Sequence, residues 1–266
     1  MICQLRKSQS SNKNFSKYSK LITRVELRMN TVNNLKIDVR EHGANEKTLN
    51  ERLFFQLLAF GDCGNFEAIV KLLHRSKIEA VIYQDINDPK GIAVLVMNKD
   101  PDYFVTEWRE ILNSSEFNKL SSKPELTMLG RTYSSGFEPD LENWLIHKPR
   151  HSALNPEWPW CIWYPLRRTG EFAKLSRKDQ GSILREHAVI GRAYGESDLA
   201  HDIRLACHGL DKNDNDFVIG LVGRDLHPLS HIVQTMRKTS QTSKYIQTLG
   251  PFFVGKAFWQ SPLKTG

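Results

Sequence analysis

Two runs of one element order, strand–helix–strand–strand–helix–strand, constrain what this chain can fold into more than any other feature. Residues 52–60 alternate as a strand does, and 65–74 place Phe66, Ile69, Val70, Leu72 and Leu73 at helical spacing. Two strands are predicted at 80–85 and 91–97 around an Asn-Asp-Pro-Lys turn. A helix over 103–112, with Asp102 as its cap, and a strand over 126–133 close the first unit. The order then returns: strand 160–166, helix 176–194 with Ser176 and Asp179 in a capping-box pattern, strands 202–208 and 217–223, helix 228–238, strand 252–259. Each βαββαβ run is a ferredoxin-like unit, so the expectation is an α+β protein with a duplicated ferredoxin-like fold. Its two antiparallel sheets should face each other with helices outside, and small barrels of this kind enclose ligands.

The expected organisation is a basic leader at 1–45, a first half at 46–134, a Pro/Trp-rich connection at 135–159 and a second half at 160–260. Residues 1–41 carry nine Lys/Arg against three acidic residues, so +6 of the formal charge of +7 lies there. The body is nearly neutral, which argues against nucleic acid despite a pI near 9.2. The leader has no long apolar segment of a secretory signal and leaves an organelle address, a disordered tail or a later start at Met29 open. No apolar run approaches the roughly 20 residues needed to cross a bilayer. Cys3, Cys63, Cys161 and Cys207 are widely spaced with no CxxC pair, which predicts reduced thiols in a cytoplasmic compartment. The connection holds four prolines with Trp144, Trp158, His147 and His151. Long connections this rich in aromatics are more often functional than idle.

Nucleotide-binding loops, a serine-hydrolase elbow and a zinc-protease helix are absent, and Asp211–Asp216 lacks the glycine and glutamate of a calcium loop. His187 is more informative. Ile183, His187, Ile190 and Tyr194 share one helical face, directing an imidazole toward an apolar interior. That residue is either a core histidine satisfied by a backbone carbonyl or an axial ligand to haem iron. Tyr164 and Arg168, four apart on one strand, point to the same side. Arg237, at a helix end beside hydroxyl residues, is either a solvated helix end or a planar fork for a carboxylate.

The strings Tyr164-Pro-Leu-Arg-Arg168, Arg185-Glu-His187-Ala-Val-Ile-Gly-Arg192, Met236-Arg237 and Gly250-Pro-Phe-Phe-Val-Gly255 resemble the chlorite dismutase and coproheme decarboxylase family, nearest to its actinobacterial-type decarboxylases. The resemblance implies His187 as proximal iron ligand, Tyr164 as a radical-forming tyrosine and Arg168 beside it. It implies Arg150, Arg237 and Thr242 as holders of porphyrin propionates, and His147 as the distal group. The function implied is peroxide-dependent decarboxylation of iron coproporphyrin III (coproheme) to haem b in haem biosynthesis. Hydrogen peroxide and iron coproporphyrin are then the small-molecule partners, a ferrochelatase-type enzyme a donor, and a homopentamer the implied assembly. Haem b would be product or retained cofactor. A chlorite dismutase or haem peroxidase, and a non-catalytic haem-binding protein, are the alternatives. Counting to the family's chlorite-splitting arginine lands on Ala200, or on Asp202 with a two-residue insertion, and reaches Arg204 only by a less natural alignment.

Overall fold

Strands here alternate one apolar face with another, because both sides of the sheet are covered. The computed structural model describes residues 37–263, and those from Arg40 onward form one unit. The first half contains β1 (Phe54–Gly61), α1 (Phe66–Arg75), β2 (Ala80–Asp85), β3 (Ile92–Asn98), α2 (Glu107–Leu112) and β4 (Met128–Thr132). After the connection, which carries α3 (Lys148–Leu154), the second half contains β5 (Trp160–Arg168), α4 (Gly170–Lys174), α5 (Arg177–Glu196), β6 (His201–Ala206) and β7 (Phe217–Gly223). It ends in α6 (Leu226–Met236), α7 (Ser240–Tyr245), β8 (Ile246–Leu249) and β9 (Phe253–Gln260).

Within the first half the strand order is β4-β1-β3-β2, and within the second β6-β7-β5-β9, all antiparallel. The fourth strand of each half pairs with the second strand of the other, β4 with β6 through Arg131↔Ala206 and β9 with β2 through Gly255↔Asp85. Eight strands therefore close into a ring, the two sheet edges of each half being consumed by the other. β8 continues the sheet along the far end of β5.

The interior of the ring is filled, which corrects the expectation that it encloses a ligand. Phe55, Leu57, Val81, Tyr83, Leu95, Trp163 and Phe253 meet there, with Leu145, Ile146, Ala153 and Leu154 from the connection. A Cβ on Gly220 would fall 2.5 Å from the Trp163 ring, so this residue of β7 must be glycine for the indole to fit.

Three further differences have local causes. The connection is not a loop: a π-helical turn at Asn143–His147 runs into α3, where Pro149 occupies the first turn without needing an N–H donor. The helix predicted over 103–112 breaks at Thr106, and the cap is Asp100, whose carboxylate accepts from Asp102 N at 3.0 Å. The body begins before residue 46: Glu41 pairs with Arg131 Nη1 at 2.8 Å and accepts from Ser134 N, tying the Glu41–His42 strand to β4. The basic residues up to 36, Met29 and Cys3 lie outside the described residues; Cys63, Cys161 and Cys207 are free and buried. Among the described residues no helix is long and apolar enough to cross a membrane.

Candidate functional site on the outer face of the second half

Even-numbered residues of β5 face outward, because neighbours along a strand alternate sides. Ile162, Tyr164 and Leu166 pack with Ala206, Phe217 and Leu221 into a floor beneath α5 and α6. Tyr164 is buried, with its ring stacked on Phe252 at a centroid distance of 4.7 Å. Burial, with Asp202 adding to it, pushes the Tyr164 phenol well above its ordinary pKa, and Arg237 opposes the shift. The phenol is therefore protonated at neutral pH.

Arg168 extends from the same face. Its guanidinium lies over Phe172 at 4.7 Å and Phe217 at 4.6 Å, and with the Gln241 amide oxygen turned toward it donates there at 3.2 and 3.3 Å. Burial lowers its pKa, yet an arginine keeps its charge. A mostly desolvated cation over an apolar floor attracts an anion more strongly than one in water.

The roof is α5, begun by Ser176, whose hydroxyl accepts from Asp179 N at 3.2 Å and donates to the Asp179 carboxylate at 2.7 Å. The predicted stripe is the side that faces the body: Ile183, His187, Ile190 and Tyr194 are half-buried while most of the helix is exposed. None of its 20 residues is fully buried. His187 is held by two hydroxyls of the α7 turn, not by a carbonyl. Its Nδ1 lies 3.0 Å from Thr239 Oγ1 and its Nε2 3.3 Å from Thr242 Oγ1. Burial, then repulsion from Arg168, lower its pKa to about 4 against a smaller opposite effect of Glu186. The imidazole is thus neutral near pH 7, with a lone pair available for a metal.

Arg237 follows α6 and is exposed, within electrostatic reach of Tyr164. The structure therefore brings His187 to Thr242 by hydrogen bond and within electrostatic reach of Arg168, on the outer face where Tyr164 forms part of the floor and feels Arg237. It does not bring His147 or Arg150 to them. His147 is 60% exposed, its Nε2 3.6 Å from Glu142 Oε1, because Leu145 and Ile146 turn into the barrel and leave it outside. Arg150 forms a two-point pair with Glu79.

Two further groups stand out, one reached in sequence only by the less natural alignment and one missed there. Arg204 lies in register with Tyr164, both pairing with Ile219 of β7 from opposite sides. It pairs with Asp202 Oδ2 at 3.0 Å and stacks on Trp144 at 4.8 Å, while Lys148 lies 4.6 Å from the same ring. Tyr133, Trp144, Lys148, Asp202 and Arg204 line a small recess there. The i, i+2 spacing of Asp202 and Arg204 on a strand was the available signal, but it gives a shared face and no register. Thr239, the other, is the cap of α7, recognisable as a threonine preceding the Ser-Gln-Thr-Ser turn.

A half-buried apolar stripe above an apolar floor, with two arginines and a neutral imidazole nearby, has the donor set for an apolar ring bearing carboxylates and a metal. The family model described as chlorite dismutase matches residues 65–258. Among solved structures, the chain is similar to a heme-binding protein from Thermus thermophilus, at 19% identity and TM-score 0.62, over 78% of this chain and 91% of that one. It is also similar to chlorite dismutase from Candidatus Nitrospira defluvii: a point variant at 14% identity and TM-score 0.58, and the imidazole complex at 14% and 0.57. Both comparisons cover 80% of this chain and 93% of the other. No match is found among curated protein sequences. At these identities the structural likenesses speak for the fold, and the family match covers most of the chain: this protein belongs to the chlorite dismutase family.

Proposed function

We propose that the protein binds an iron porphyrin on the outer face of the second half, on the α5 side, and decarboxylates two propionates of iron coproporphyrin III at the expense of hydrogen peroxide, yielding haem b. The observation that carries the reading is one neutral imidazole, one buried phenol and two cations on the same outer face, linked pairwise through Arg168 to His187 and Arg237 to Tyr164. A chain that only bound the porphyrin would need the imidazole and the cations. It would not need a buried phenol beside a cation.

In this reading His187 Nε2 holds the iron, and Arg168, Arg237 and Thr242 receive carboxylates by charge-assisted hydrogen bonds. When bound, the iron porphyrin supplies the two-electron reduction of peroxide. Tyr164 gives up an electron and its phenolic proton, since burial keeps the phenol protonated beforehand. The phenoxyl oxygen takes a hydrogen atom from the propionate carbon next to the ring, which Arg168 positions, and Tyr164 is restored. Loss of a second electron and of carbon dioxide leaves a vinyl group. Per propionate, one peroxide and one proton are consumed, and one carbon dioxide and two waters form. His147 as proton acceptor for peroxide, and Arg150 as a propionate clamp, are part of the proposal and compete with their ties to Glu142 and Glu79.

The deciding experiment loads the protein anaerobically with ferric coproporphyrin III, titrates in peroxide and follows porphyrin mass. Stepwise loss of two carboxyls, absent in Tyr164→Phe, is the expected result; an unchanged mass in folded, porphyrin-bound protein overturns it. A second reading, chlorite dismutase or peroxidase activity on retained haem b, is favoured by Arg204, which shares the floor with Tyr164. Oxygen release from chlorite that survives Tyr164→Phe and is lost in Arg204→Ala would select it.

A further inference from the structure

We infer that Thr239 is a positioning residue that fixes the tautomer of His187, so that Nε2 is the nitrogen offered to a metal. The inference deepens the proposed porphyrin site and rests on that reading for its consequence, though not for its geometry. Thr239 is 1% exposed, so its hydroxyl must be satisfied within the protein. The hydroxyl has one hydrogen and three neighbours that could take it: Met236 O at 2.7 Å, His187 Nδ1 at 3.0 Å and Thr242 Oγ1 at 3.4 Å. The carbonyl is nearest and can only accept, so the hydrogen goes there. Thr239 Oγ1 then faces Nδ1 as an acceptor, and Nδ1 carries the imidazole proton.

The rest of the α7 turn supports this arrangement. Thr239 Oγ1 also accepts from Thr242 N at 3.4 Å as the helix cap, which sets the position of the oxygen. Glu186, the carboxylate next to His187 in sequence, is engaged elsewhere: its Oε2 accepts from Ser240 N at 2.8 Å and ties α5 to the start of α7. The Nδ1 partner is therefore a neutral hydroxyl. A histidine that donates to a carboxylate gains basicity as a metal ligand. One that donates to an alcohol oxygen stays a plain imidazole, a weaker donor that leaves a bound iron easier to reduce.

The test begins on the protein without porphyrin. Nitrogen-15 NMR of His187 at neutral pH should show a protonated Nδ1 and an unprotonated Nε2 in the wild type and in Thr239→Ser. In Thr239→Val the pattern should invert or average. A wild-type His187 protonated on Nε2, or a folded Thr239→Val with unchanged nitrogen shifts, overturns the inference. Should Thr239→Val fail to fold, the wild-type pattern decides alone. With ferric porphyrin added, Thr239→Val should bind about tenfold more weakly, as expected for loss of a metal ligand's outer partner. Its Fe(III)/Fe(II) potential should shift, and Thr239→Ser should restore both. Failure of the wild type to bind porphyrin would sink the proposed function while leaving the nitrogen pattern to judge Thr239.

Discussion

The two halves share one topology and differ in how their helices meet the sheet. In the first half α1 buries Ile69, Leu72 and Leu73, and α2 buries Trp108, against Ile82, Ile92, Val94 and Val96; Leu73 and Trp108 are fully excluded from water. Complete burial of each such side chain contributes about 1.5–3 kcal/mol. In the second half α5 is twice as long as α1 and buries no residue completely. It is held by the partly buried Ile190 and Tyr194 and by polar ties, Glu186 to Ser240 N and His187 to Thr239 and Thr242. α6 does bury Leu229 and Ile232 on the same sheet, so the contrast between the halves lies in α5 alone. The helix that forgoes complete burial is the one that carries His187.

The sharpest way to test this division is through chemistry confined to the second half. Tyr164→Phe should abolish decarboxylation while porphyrin affinity stays within a few-fold, read by porphyrin mass and by absorbance titration. Retained turnover would remove the phenol from the mechanism. His187→Ala should weaken iron-porphyrin binding by roughly 100-fold or more, since losing a ligand should exceed the loss of its outer partner. Leu73→Ala, in the first half, should leave that affinity unchanged.

Stability should divide the other way. Leu73→Ala should cost about 2–5 kcal/mol in denaturant unfolding, as for a fully buried leucine. Ile190→Ala, half-buried on α5, should cost about 1 kcal/mol or less in the porphyrin-free protein. Equal costs would mean that α5 packs as tightly as α1 and the contrast between them is false. Acid titration offers a smaller effect. The His187 pKa is lowered from an unfolded value of about 6.5 to about 4, so between these values the unfolded chain binds more protons. Stability is then full above pH ~6.5 and falls as pH drops toward ~4. His187→Gln should flatten that part of the pH–stability curve.

The smallest expected change concerns the residues left outside the cluster. With His147 beside Glu142, His147→Gln should slow peroxide-dependent turnover by less than about the hundredfold that general acid–base catalysis commonly contributes. A larger loss would place His147 at the reacting centre and bring the connection into the site.

Much of this architecture was legible in the sequence because the signals are local. Strand 217–223 coincides with β7, Ser176 caps α5, and Ile183, His187, Ile190 and Tyr194 form the stripe that faces the body. A helix presents every third or fourth residue to one side and a strand every second, so periodicity alone assigns a face. The connection was harder to read, since prolines and tryptophans there conceal a π-helical turn and a short helix whose apolar residues enter the barrel.

The sequence by itself determined the order of elements, the duplicated ferredoxin-like fold and the residues Tyr164, Arg168 and His187 as a candidate centre. Only the tertiary structure decided that the barrel interior is full, that Arg204 stands in register with Tyr164, that Arg150 is engaged by Glu79, and that Thr239 meets His187 across 52 residues of chain. The reason is physical. Which face a residue occupies follows from its near neighbours, whereas register across strands and the filling of a gap depend on side chains far apart in sequence.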